Sequence, residues 1–280
     1  MLLYLFIIFQ TIRSISCVIT CSVCPIDANS FYYFVTTDRL PYSLNNCTLQ
    51  TIGDNCFIDV IWHRKPDKTE ITLSTRENPR TINNEHNLFT DASLENKNSN
   101  FVWTRSISYT CSTNYCNSLT VLKRLLNSLT SNDSFNELEY LLKIEEPFDG
   151  NWCWFEKNIT SLECAASIPP ESCKGCFFQG KSRVSSIEIC ASCLQDDIGE
   201  TALSHEVDFN MTDRTRTDHW ILECKSRNCN TKTNGNLIRQ KSTSDFDFIK
   251  FLDDANNSNI LSHMSKIMLL VIVFLIKLFN

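Results

Sequence analysis

Cys173, Cys176, Cys190 and Cys193 stand as Cys-x2-Cys-x13-Cys-x2-Cys. At that spacing two knuckles could bring four thiolates around a tetrahedral zinc ion. The same Cys-x2-Cys pairs could also carry out thiol exchange, which needs a reactive thiolate. No thioredoxin-like βαβ pattern surrounds them. The chain holds 15 Cys in 280 residues, and such a density in an exported protein means bridges rather than free thiols. The cluster is therefore read as disulfides, with a metal- or thiol-dependent secreted enzyme as the lesser alternative. Other catalytic groupings are missing. His63, His86, His205, His219 and His263 are scattered and form no His-x3-His pair. Neither a Gly-rich phosphate loop nor a Gly-x-Ser-x-Gly elbow occurs. Glu145-Glu146, Asp196-Asp197 and Asp253-Asp254 sit in polar stretches, where solvated loop charge accounts for them. No catalytic, cofactor-binding or metal-binding residue is assigned, and the chain is read as a non-enzyme.

The ends of the chain point to export. Met1 to Gln10 is almost wholly apolar and is followed by Ser14-Ile15-Ser16 before Cys17, the form of a secretory signal peptide. Ile267 to Ile276 is an unbroken apolar run, about half of what a membrane span needs. A polar spacer, Asn259 to Lys266, and the small cluster Ala255-Asn256-Asn257-Ser258 precede it. That order is the signal for exchanging the tail for a GPI lipid, with attachment expected at Asn256 or Asn257; a short C-terminal membrane helix is the alternative. Removing both signals leaves 23 basic and 32 acidic residues, a formal charge of −9. An acidic ectodomain without a run of Lys or Arg longer than two is a poor nucleic-acid binder. Glycosylation sequons stand at Asn46, Asn132, Asn158, Asn210 and Asn256.

Two segments share an ending that the rest of the chain must position. Cys111-x4-Cys116-Asn117 and Cys224-x4-Cys229-Asn230 each close a Trp-containing stretch of strand character, Phe101 to Tyr109 and His219 to Leu222. Ser134 with Glu137, and Ser244 with Asp247, then form capping boxes opening amphipathic helices. The matched surroundings indicate a duplication. Leu119, Leu122, Leu125, Leu126 and Leu129 recur at helical spacing between the two copies; that stripe is expected to pack on the first module. Strands are expected over Phe31–Val35, Phe57–Trp62, Glu70–Ser74 and Trp152–Phe155. With only six Gly, few tight hairpins are expected, and the polar stretch Arg76 to Asn100 is read as a long loop.

The Cys21-x2-Cys24 opening and the Cys-x4-Cys-Asn closes resemble the three-finger modules of the lymphocyte-antigen and urokinase-receptor superfamily. The resemblance implies that Cys111 pairs with Cys116 and Cys224 with Cys229, and that Asn117 and Asn230 hydrogen-bond into the core. It also implies an opening at Cys173-Lys-Gly-Cys176 in the second module, together with tandem modules, a GPI anchor and a protein partner. The chain departs from the family in lacking a Cys-Cys pair before either close.

The resulting expectation is a mainly β, small disulfide-rich fold of two tandem cysteine-rich modules, each followed by a short amphipathic helix. Its parts are a signal peptide (1–16), module 1 (17–117), a helical connector (118–148), module 2 (149–230), a polar stalk with a short helix (231–257) and a removed attachment signal (258–280). The bridging cysteines are Cys21, Cys24, Cys47, Cys56, Cys111, Cys116, Cys153, Cys164, Cys173, Cys176, Cys190, Cys193, Cys224 and Cys229, which leaves Cys17 over. Function is read as binding of another extracellular or membrane protein at the outer leaflet. A glycosylated surface coat without a specific ligand is the alternative. Contact residues would come from Tyr32, Tyr33, Trp62, Trp103, Trp152, Trp154 and Trp220, most of which are expected in the core.

Overall fold

A computed structural model describes residues 19–52, 55–75, 86–158, 168–183, 186–196 and 199–257. The expected signal peptide, Cys17, Cys164 and the expected attachment signal lie outside these residues. The first strands are β1 (Ile19–Val23), β2 (Ser30–Phe31), β3 (Thr48–Ile52), β4 (Cys56–Arg64), β5 (Lys68–Ser74), β6 (His86–Lys97) and β7 (Asn100–Cys111). Helix α1 (Leu119–Ser128), β8 (Leu129–Asp133) and a 3-10 helix (Phe135–Leu142) follow. Then come β9 (Glu156–Lys157), β10 (Gly175–Arg183), β11 (Ser186–Leu194), β12 (Thr201–Asn210) and β13 (Thr215–Cys224). Helix α2 (Lys232–Lys241), β14 (Ser242–Phe246) and α3 (Phe248–Asn257) end the described chain. The protein is mainly β and disulfide-rich.

Ten strands make one sheet in the order β2-β5-β4-β7-β6-β12-β13-β10-β11-β9, every neighbouring pair antiparallel. Alternation of period two makes these strands and gives the sheet one dry face. In β5 the buried residues are Thr69, Ile71 and Leu73; in β12 they are Leu203, His205, Val207 and Phe209 among others. The sheet reads the same outward from its middle. β6 pairs with β12, with Asp91 opposite Glu206; β7-β4-β5 lie to one side and β13-β10-β11 to the other. β8 and β14 form a separate antiparallel pair in which Ser131 faces Ser244.

The helices and the β8–β14 pair cover the dry face. Gly235 of α2 lies against the Phe178 ring, where a Cβ would come within 2.2 Å of it. Phe251 of α3 meets Tyr109 edge-on. Leu142 O, at the end of the 3-10 helix, accepts from Asn96 Nδ2 at 2.8 Å and Thr201 Oγ1 at 2.6 Å, so it straddles the β6–β12 seam.

Several elements differ from the sequence expectation. Of the polar stretch read as a loop, residues 86–97 form strand β6, because its inward residues Leu88, Ala92 and Leu94 alternate with outward polar ones, and residues 76–85 lie outside the described residues. Tight hairpins form without glycine. Asn98 and Ser99 (φ 51° and 66°) join β6 to β7, and Lys65 (φ 65°) turns between β4 and β5. Asn is tolerated in this left-handed region because its short polar side chain can bond locally. Phe31–Val35 is strand only at its start, and Trp152–Phe155 is not strand, Trp152 closing a short 3-10 turn instead. No capping box forms at Ser134, whose hydroxyl caps nothing, while Glu137 pairs with Lys241. At α3 the cap is Asp247, whose Oδ1 accepts from Lys250 N at 2.9 Å, and Ser244 is buried in β14. Segment 231–257 is no stalk, since Ile238, Ser242, Phe246 and Phe251 are all buried. The Leu stripe forms α1 up to Ser128; Leu122 and Leu125 are wholly buried, whereas Leu129 opens β8.

Candidate functional site

The two Cys-x4-Cys-Asn closes build matching hubs. Cys111 is bonded to Cys116 and Cys224 to Cys229. Asn117, fully buried, donates from Nδ2 to Ser22 O (2.7 Å), Phe57 O (3.1 Å) and Ser74 O (3.3 Å), and its Oδ1 accepts from Ser22 N (2.8 Å). Asn230, equally buried, donates to Trp154 O (2.9 Å), Phe177 O (3.0 Å) and Ser192 O (2.9 Å), and accepts from Trp154 N (2.7 Å). Each amide ties together three backbone segments.

Ser22 follows Cys21, which is bonded to Cys56; Trp154 follows Cys153, which is bonded to Cys176. Cys153, not Cys173, therefore stands where Cys21 stands, and Cys173-Lys-Gly-Cys176 is not the opening of the second half. Cys24 is bonded to Cys47 and Cys173 to Cys193, while Cys190 is disulfide-bonded as well. The four sulfurs of the zinc-like spacing are all held in disulfides. Among the described residues no group of three or more His, Cys, Asp or Glu could hold a metal ion.

The sequons fall in different settings. Asn46 and Asn132 are exposed. The Asn210 Oδ1 accepts from Thr212 N and Asp213 N and shapes the β12–β13 turn. Asn158 acts as an extra rung on the edge of β11: Nδ2 donates to Ile187 O at 2.9 Å and Oδ1 accepts from Ile189 N at 2.6 Å. An N-linked sugar on Asn158 would occupy the Nδ2 position that faces β11. Asn256 and Asn257 are the last residues of α3.

A second broad surface is the other face of the sheet. The helices α1, α2 and α3 and the β8–β14 pair all pack on the dry face. On the opposite face the outward residues of the five middle strands (β4, β7, β6, β12 and β13) are mostly half-exposed. They include Asp59, Asp91, Glu206, Asp208 and Glu223 set among Ser93, Ser106, Ser108 and Ser204, with Lys97 as their one Lys or Arg, at a hairpin end. Partial burial pushes Glu223 up from its ordinary value; it does the same to Asp208, where a hydrogen bond from Asn87 opposes it. Two histidines join the pattern. His219 contacts Gln179 at 2.6 Å and Glu206 at 3.4 Å, and His63 contacts Glu70 at 3.4 Å. The bond from Lys68 holds the Glu70 carboxyl below its ordinary value against the effect of burial, with His63 adding to it.

Sequence reasoning missed this face because β6 was read as loop, which left its acids without a surface to share. Its anchor residues divide: Trp62, Trp103 and Trp220 are core, Tyr33 and Trp152 are half-buried, and Tyr32 and Trp154 are exposed near opposite ends of the sheet. Among the described residues no helix is long and apolar enough to cross a membrane. No family model matches the chain, and no curated protein or solved structure matches it.

Proposed function

We propose that the chain is a GPI-anchored cell-surface binding protein, built from two copies of one cysteine-rich module joined edge to edge through β6 and β12. In this reading it is a divergent relative of the three-finger modules it resembles, and it binds a basic patch on another extracellular protein. The observation that carries the binding role is the sheet face on which none of the described helices packs, where acids and hydroxyls are spread over five adjacent strands with almost no basic residue among them. A mainly acidic face attracts a basic partner and steers its approach. The matched Asn117 and Asn230 hubs support the two-module reading. The anchor rests on the small residues at the end of α3 and on the spacer and short apolar tail that follow in the sequence.

The test is display of the full chain on animal cells, release by a phosphatidylinositol-specific phospholipase, and binding of the released protein to other cells. The expected result is release by the lipase and saturable, salt-sensitive binding to protease-sensitive sites. Binding should weaken at least tenfold in Asp91→Lys/Glu206→Lys, with melting close to wild type. Equal binding by wild type and the charge-reversed variant would refute the role of this face.

A further inference from the structure

A cavity of about 580 Å³ lies under α3, away from the acidic face. Its walls come from β7, the Cys111–Cys116 loop, α1, the β12–β13 hairpin and α3. Val121, Met211, Phe251 and Leu252 make it apolar, and among the described residues no Asp or Glu lines it. Its cationic member is Arg124, from α1. Both Nε and Nη1 of Arg124 are buried and have no hydrogen-bond partner. The guanidinium carbon stands 5.3 Å from the centre of the Phe251 ring, a contact that offsets only part of the lost hydration. Beside it the Tyr109 hydroxyl lies 2.9 Å from His86 Nδ1. Burial pushes that phenol well above its ordinary value, against the opposing charge of Arg124.

A guanidinium stays charged at any physiological pH. Buried charged donors without an acceptor are costly, and such a group calls for an explanation. Another polar cleft, beside Trp103, differs in holding a counter-ion: there the Asp133 carboxylate lies 2.8 Å from Arg105 and accepts from Trp103 Nε1 at 2.7 Å. Around Arg124 the missing partner is an anion, and the apolar walls call for an apolar body attached to it. The size falls in the range of small-molecule sites, which are mostly apolar with a few convergent polar groups.

We infer that this cavity binds an aliphatic monocarboxylate, its head on Arg124 and the Tyr109 hydroxyl and its chain against Val121, Phe251 and Leu252. The site is independent of the proposed protein-binding face.

The experiment uses residues 17–257, which contain every described element, secreted from an animal host and stripped of lipid. Decanoate and decanol are titrated by calorimetry, and melting is followed with each. The expected result is saturable one-to-one binding of decanoate, at least tenfold weaker binding of decanol, and a melting temperature raised by decanoate, since a ligand that binds only the folded state stabilises it. Arg124→Leu should lose decanoate binding at least tenfold and, without ligand, melt no lower than wild type, because it sheds an unanswered cation. If Arg124→Leu does not fold, Arg124→Gln decides by the same readings. The inference is overturned if decanoate fails to bind, so that the cavity holds water only, if decanol binds as well as decanoate, or if the Arg124 variants bind decanoate like wild type.

Discussion

On one side of the β6–β12 seam Val60 faces Ile107 across the sheet; on the other, Gly180 faces Trp220. Both pairs lie four residues from the matching cysteines, Cys56 and Cys111 in one half, Cys176 and Cys224 in the other. The layer above is exchanged in the same way. Leu122 of α1 and Gly235 of α2 each stand five residues after the hub asparagine, and Gly235 makes room for Phe178 where the first half has Ile58. The interior therefore trades volume pair by pair. The hubs trade nothing, each asparagine making the same four bonds to the same three backbone segments. The contrast is physical. Apolar packing asks for total volume and approximate shape, which many combinations satisfy. An amide whose two N–H hydrogens are shared among three carbonyls and whose oxygen accepts from one N–H allows no other side chain of its size.

The largest effect should come from breaking a hub. Asn230→Ala leaves three backbone carbonyls and the Trp154 N–H without their side-chain partner at a fully buried position. Unpaired buried groups cost about 1–3 kcal/mol each, so a loss of about 4 kcal/mol or more is expected even after partial relaxation. Asn117→Ala should do the same to the other half. Secretion yield and the melting temperature read the result. A drop of less than about 4 °C for either variant, roughly 1–2 kcal/mol in a domain of this size, would show that the hubs are not where the two halves are held.

A second experiment sharpens the comparison by moving one half toward the other. A Cβ on Gly180 would come within 2.1 Å of the Trp220 ring, so Gly180→Val should cost about 1–3 kcal/mol through overpacking. Trp220→Ile alone should cost about 3 kcal/mol through the cavity it leaves. Together they rebuild the Val60–Ile107 pair, and the double variant should be more stable than the sum of the two losses by about 1–3 kcal/mol. Strict additivity in urea denaturation would mean that the two positions do not trade volume at all.

The sequence carried those parts of the fold whose signal is local. Phe57–Trp62, Glu70–Ser74, Phe101–Tyr109 and His219–Leu222 all lie within strands, because β-branched and aromatic residues alternate there. The closing cysteine motifs were legible for the same reason. β6 was not, since Asp91, Glu95 and several Asn weaken its β signal and only pairing with β7 and β12 makes it a strand. The hairpins escaped because Asn98, Ser99 and Lys65 supply the left-handed turns usually assigned to glycine. The second opening was misplaced because Cys-x2-Cys is a spacing, whereas the place of Cys153 beside Cys176 depends on the partner it finds in space. The acidic face depends on strand pairing in the same way, so its parts were visible one at a time but their sharing of a surface was not.

The smallest expected effect separates the charges on the two halves of the dry face. In the first half Asp133 answers Arg105 from β8, at 2.8 Å. In the second half Asp218 lies on the sheet itself, 2.7 Å from Arg216 and 3.1 Å from His205. Burial pushes the Asp218 carboxyl up, but the hydrogen bonds and charges of His205 and Arg216 outweigh it and hold the group at about 2. Its folded value thus lies below the ordinary 3.8, so the stabilisation is present in full above that value and is lost as pH falls from about 4 to 2. The difference corresponds to about 2 kcal/mol. In Asp218→Asn this contribution is absent at every pH, so the stability gap between wild type and variant should be wide at pH 7 and narrow by about 2 kcal/mol at pH 2. Urea midpoints at pH 7, 4 and 2 measure it. A gap that stays constant across that range would place the stabilisation of Asp218 in its packing, and the two halves would then differ in geometry alone.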